Sequence, residues 1–135
     1  RRGAWVEDGV LHVSGAPEFA QRRVRDFLKE KARIEITRLA HDKAKRIDAE
    51  IGRITLKDTH GRWGSCTPEG DLSFSWRLIL APSGVLDYVV AHEVAHLAEL
   101  NHSDRFWRLV AKLTLHTAEA KSWLRRHGAG LHRYG

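Results

Sequence analysis

The sequence has no methionine, one cysteine and three prolines, and only 8% of its residues are aromatic. Each scarcity excludes something. A lone Cys66 rules out an internal disulfide and fits a reducing compartment, so a cytoplasmic location is expected. No apolar run approaches the roughly 20 residues that cross a bilayer, so no membrane partner is expected. The opening "RRGAWVEDG" is polar and turn-rich, unlike a signal peptide. Without a methionine, the natural start is expected upstream of Arg1, leaving the N-terminus truncated. No internal repeat and no Pro/Gly/Ser-rich linker divides the chain. Its 135 residues, 42% of them hydrophobic, suit one domain spanning 1–135.

What the chain has in quantity is positive charge, a net +6. Residues 22–46, "RRVRDFLKEKARIEITRLAHDKAKR", hold ten Lys/Arg against four Asp/Glu, a surplus of six that equals the whole molecule's. A basic helix can bind nucleic acid or nucleotides through their phosphates. It can equally be a solvated face laced with ion pairs, Asp26 and Glu30 among Arg22, Lys29 and Arg33. The segment lacks Gly-rich phosphate loops and has a single aromatic, Phe27, which favours the second reading.

Periodicity gives the element order. "AWVEDGVLHVSG" alternates around Asp8-Gly9 and predicts a hairpin. Pro17 opens a helix whose apolar positions, Val24, Phe27, Leu28, Ile34, Leu39, Ala44 and Ile47, carry it to about Glu50 before Gly52 ends it. "RITLKD" and "DLSFSWRLILA" read as strands flanking a Gly-punctuated loop, "THGRWGSCTPEG", with a turn at Pro68-Glu69-Gly70. Ser83 is placed to cap a helix from about Gly84 to Leu100, Ser103 one from Asp104 to about Leu115, and Thr117 a last one closed by Gly128. The expected fold is α+β: a small antiparallel sheet packed on a buried helix, plus a long basic N-terminal helix.

The informative stretch is "VVAHEVAHLAELNHSDRFW", Val89 to Trp107. His92-Glu93-Val94-Ala95-His96 is an HExxH match. Four residues apart on a helix, two imidazoles lie about 6 Å apart along the axis on one face and can share an ion. Glu93 stands about 100° round and reaches a bound water rather than the metal. Neutral imidazoles leave most of a zinc ion's charge uncompensated, so bound water ionises near neutral pH and Glu93 can take its proton. Every other residue from Val89 to Leu97 is apolar, so the helix is buried nearly all round. Three ionisable side chains there demand partners.

A third ligand is then required. His102 follows His92 by ten positions, which a continuous helix would turn into about 15 Å. Ligation by His102 needs the helix to stop soon after His96 and reverse, and Asn101, tolerant of left-handed backbone, is where a reversal is expected. The 0, +4, +10 spacing is that of the metzincins, H-E-x-x-H-x-x-G-x-x-H, but Glu99 stands in place of their glycine and no Met-turn can follow. Glu99 is the competing ligand, or else a carboxylate that holds an imidazole from behind.

"RWGSC" at Arg62–Cys66 and "YVVAHEVAHLAELNHSDRFW" at Tyr88–Trp107 together resemble the YgjP-like metallopeptidase family, small metal-dependent hydrolases related to the WLM and SprT-like zincins. The resemblance covers at least residues 54–124. It implies a zincin-like fold, a zinc ion on His92, His96 and His102, and Glu93 as general base. It implies a hydrolytic reaction more firmly than a substrate.

Other residues carry two readings each. Arg62 can bind a substrate carboxylate, a phosphate or a developing oxyanion, or simply pack. Trp63 can form a wall of the substrate cleft beside Arg62 or, like Cys66, suit the interior, with Gly64 supplying a positive φ. Tyr88, one turn before His92, can reach substrate or fill the core. Phe106 and Trp107 are expected to anchor the reversed segment. Three functions follow: a zinc metallopeptidase acting on peptide or protein, a zinc-dependent phosphohydrolase acting on nucleotides, and a nucleic-acid-associated module with a structural zinc.

Overall fold

The computed structural model describes residues 4–13, 17–58, 62–127 and 133–134. Strands β1 (Ala4–Glu7) and β2 (Val10–Val13) form the expected antiparallel hairpin. Its turn takes φ of 52° at Asp8 and 75° at Gly9. Two left-handed residues in succession match the twist of the flanking strands.

Helix α1 runs unbroken over Pro17–Arg46. Ala32, Ile36, Ala40, Lys43 and Ala44 form its buried stripe, whose three alanines let neighbouring elements approach closely. It ends short of the expected Glu50 because Asp48 turns left-handed at φ 54°. The Ala49 amide then reaches back to the Ala44 carbonyl at 2.9 Å, closing the helix by a Schellman-type turn. Gly52 plays a different part: its amide donates to the Gly70 carbonyl at 2.9 Å, and a side chain there would press into the Asp71 carboxylate.

The sheet contains β3 (Ile54–Lys57), β4 (Arg62–Cys66), β5 (Leu72–Ser75) and β6 (Arg133–Tyr134), in the order β3-β5-β4-β6. It is mixed rather than antiparallel. β4 runs antiparallel to β5, whereas β3 pairs parallel with β5 and β6 parallel with β4. The cause is the segment expected as a loop: RWGSC is itself a strand, and it carries the chain past β5 before the Thr67–Gly70 turn brings it back. In that turn the Gly70 amide donates to the Thr67 carbonyl, and Gly70 takes φ 92°. The strand expected from Asp71 to Ala81 stops at Ser75. Its hydroxyl accepts the Arg77 amide at 3.3 Å and caps a 3-10 helix over Trp76–Leu80.

Helix α2 (Ser83–Ala95) lies at the centre, with Val85, Leu86 and every residue from Tyr88 to Ala95 buried. Pro82, not Ser83, occupies its N-cap position. α3 (Asp104–Leu113) is capped as expected by Ser103, whose oxygen accepts the Phe106 amide at 3.3 Å. α4 spans Thr117–His127, with Thr117 its first residue rather than its cap. Gly128 lies outside the described residues. One buried knot ties three helices together. Lys43 Nζ of α1 donates to the Leu113 carbonyl at 2.7 Å and pairs with Asp87 of α2 at 2.8 Å, while Asp87 accepts the Thr114 hydroxyl at 2.6 Å.

Candidate metal centre and active site

α2 breaks off at Ala95, about a turn before the Leu100 expected from its periodicity. His96 is its C-cap, at φ −65° and ψ −16°. The Leu97 amide then bonds to the Val94 carbonyl at 2.9 Å and the Glu99 amide to the Ala95 carbonyl at 3.0 Å, winding the chain into a tight turn. Asn101 takes no part through left-handed backbone: among the described residues, Asp8 and Asp48 are the non-glycines with positive φ. Ser103 fixes the start of α3, and between the two helices His102 swings back toward the end of α2.

The reversal brings the three imidazoles together. Ligand atoms of His92, His96 and His102 all lie within 4.8 Å of one another. His92 Nε2 and His102 Nε2 stand 3.3 Å apart. Two nitrogens bound to one tetrahedral zinc at about 2.05 Å would be about 3.3 Å apart, so this pair has the separation that such an ion requires. His92 and His96 are buried, His102 exposed, so the cluster opens to solvent on the His102 side.

Each ring is held from several directions. His96 Nδ1 and the Glu99 carbonyl are 2.9 Å apart. Glu99 thus acts through its backbone, while its carboxylate faces Arg105 at 3.7 Å. Tyr88 Oη lies 3.4 Å from His92 Nδ1. With their Nδ1 atoms engaged this way, both rings offer Nε2 as the ligand atom. Phe106 stacks on His96 at 4.4 Å between centroids and touches His92 edge-on at 4.9 Å. Trp107 lies nearly parallel to His102 at 6.0 Å. The Phe-Trp pair therefore anchors the reversed segment and sets the angles of the rings it must present.

Glu93 is fully buried at the α2–β4 boundary. A Cβ on Gly64 would stand 3.0 Å from its Cγ, 3.2 Å from its Oε2 and 3.2 Å from Phe74 Cδ1. Gly64 is present for space. Among the described glycines, positive φ belongs to Gly9 and Gly70, so the positive φ expected at Gly64 is not there. Sequence reasoning missed this contact because no local pattern joins a strand glycine to a glutamate 29 positions away.

The remaining candidates separate by burial. Trp63 is buried edge-on to Trp123 at 6.0 Å, and Tyr88 is completely enclosed, so neither offers a substrate an open surface. Cys66 is half-buried. Burial first, then the nearby Glu93 and Asp71 carboxylates, push its thiol from 9.0 up to about 11. Arg62 is exposed and, with Lys57, Gly64, Ser65, Ser73, Phe74 and Ser75, lines a cavity of about 320 Å³. Ser65 and Ser73 pair across β4 and β5 one step from Gly64 and Phe74, which face Glu93. His60 falls outside the described residues.

The basic helix spends much of its charge internally. Arg33 pairs with Glu30, Arg38 with Glu35 at 2.6 Å and Arg46 with Asp42 at 3.7 Å, while Lys43 turns into the core.

Comparison with known proteins follows the same line. No curated protein matches the sequence. The crystal structure of the metallopeptidase zymogen of Pyrococcus abyssi abylysin superposes with a TM-score of 0.61. That match covers 71% of this chain and 98% of that one at 16% identity, a likeness of fold. A family model described as YgjP-like, metallopeptidase domain, matches residues 3–127. With its HExxH helix, reversed third histidine and RWGSC strand in one cluster, the chain belongs to the YgjP-like metallopeptidase family.

Proposed function

We propose that this chain is a zinc metallopeptidase in which His92, His96 and His102 hold the ion and Glu93 is the general base. The carrying observation is the 3.3 Å between two imidazole Nε2 atoms ten residues apart, beside a buried carboxylate. An all-nitrogen set of three with one exposed member suits zinc and leaves a coordination position open. Zinc bound there would supply a Lewis acid and bring the pKa of water toward neutrality. Glu93, confined by Gly64 and Phe74, takes the proton of the attacking water and hands it to the leaving amine.

A peptide substrate fits the sheet. β4 carries Gly64 against Glu93, and its outer edge already accepts an extended segment, Arg133–Tyr134. A peptide taking the place of β6 on that strand would make main-chain hydrogen bonds next to the general base. Glu93→Gln tests the assignment: zinc should be retained while peptide hydrolysis falls by about 10²–10⁴-fold. A fully active variant removes Glu93 from the mechanism.

A second reading, hydrolysis of nucleotides or other phosphate esters, draws support from Arg62 and Lys57 lining one cavity with three serines. Assaying both substrate classes on one zinc-loaded preparation separates the two. A nucleic-acid module with structural zinc has less support, since such a site is closed by four ligands and the cluster among the described residues has three. We read residues 1–135 as one domain, since helices α1 to α4 and strands β3 to β5 share one core. Among the described residues no helix is long and apolar enough to span a membrane. The single cysteine supports our placing the protein in the cytoplasm.

A further inference from the structure

We infer that Tyr88 is a positioning residue for the metal centre, acting through His92 Nδ1. The inference rests on the proposed histidine ligation and deepens it. An imidazole that coordinates through Nε2 carries its proton on Nδ1, and that N–H needs an acceptor. His92 is 1% exposed and Tyr88 0%, so bulk water cannot serve. Tyr88 Oη is 3.4 Å from Nδ1, on the same helix one turn back, with the two rings edge to face at 5.8 Å between centroids.

The two buried ligands are held differently. His96 Nδ1 faces the Glu99 carbonyl, a main-chain atom that no side-chain substitution deletes. His92 Nδ1 faces a hydroxyl that one substitution removes. Tyr88 also follows Asp87, which the Lys43 and Thr114 contacts tie to α1 and to the end of α3. By accepting from Nδ1, the tyrosine holds the ring in the orientation that leaves His92 Nε2 directed at His102 Nε2.

The test compares wild type and Tyr88→Phe, which keeps the ring and its packing. Zinc affinity is measured by competition with a chromophoric chelator, and the metal-free proteins are compared by thermal melting. The expected result is a zinc Kd weakened about tenfold or more, the range seen when partners of metal-bound histidines are removed, with metal-free melting little changed. An unchanged Kd in a wild type that binds zinc overturns this inference alone. Absence of zinc binding in the wild type overturns it together with the ligation on which it rests. Should Tyr88→Phe not fold, long-range ¹H–¹⁵N spectra of zinc-loaded wild type decide. They should show the His92 Nδ1 proton in slow exchange with water; fast exchange of that proton would overturn the inference, and a proton at Nε2 would overturn the ligation with it.

Discussion

Gly64 shows how much a single missing side chain can do. With a methyl group 3.0 Å from Glu93 Cγ, Gly64→Ala would force either the glutamate or Phe74 aside. Overpacking of this kind costs about 1–3 kcal/mol, and a displacement near 1 Å at a catalytic group costs about 10²-fold in rate. Thermal melting and peptide hydrolysis, measured together, should both fall, the second far more. Cys66 gives a prediction in pH. Its thiol is raised above the ordinary value, so folding favours the neutral form, and that contribution is lost as pH climbs from about 9 toward 11. Alkylation of the native protein should therefore be slow at pH 8 and accelerate only on approaching pH 11, with urea-unfolded protein reacting well before; fast native alkylation at pH 8 would contradict the placement. At this scale the sequence made His92, Glu93 and His96 plain, because their spacing is local. Gly64 and the Glu99 carbonyl stayed hidden. One acts by the absence of atoms, the other through a backbone atom that every residue has.

Elements were legible where turn chemistry is local and illegible where tertiary contact decides. Asp8-Gly9, Pro17 and Ser103 each did what their side chains dictate. α2 looked longer because apolar residues continue through Leu97, yet it must end where His102 needs to return. RWGSC looked like a loop because glycine and serine break the alternation, but β5 supplies the ladder that the segment's own composition does not favour. Lys43 was counted among the basic surface and is buried, linking α1 to α2 and to the end of α3. Lys43→Ala leaves Asp87 without that cation and should cost about 3–5 kcal/mol by chemical denaturation. A loss under 1 kcal/mol would show that the knot is not what holds these helices. β6 yields a further expectation. Ending the chain after His127 should leave the β4 edge open, so that amide exchange at Arg62–Gly64 quickens and an added extended peptide slows it again; unaltered exchange would mean that β6 does not protect that edge.

Across the whole molecule, a basic chain with a sequence pI near 9.9 places its proposed chemistry in a pocket of imidazoles, one glutamate and aromatic rings. The charge is peripheral and partly self-paired; the reactive groups sit where the central helix, the sheet and a reversed segment converge. The most direct measurement is zinc stoichiometry in the wild type, His102→Ala and Glu93→Gln, by elemental analysis after dialysis against a weak chelator. One ion per chain in the wild type and in Glu93→Gln, with most of it lost from His102→Ala, is the predicted result. Full retention of zinc by His102→Ala would contradict the three-histidine centre.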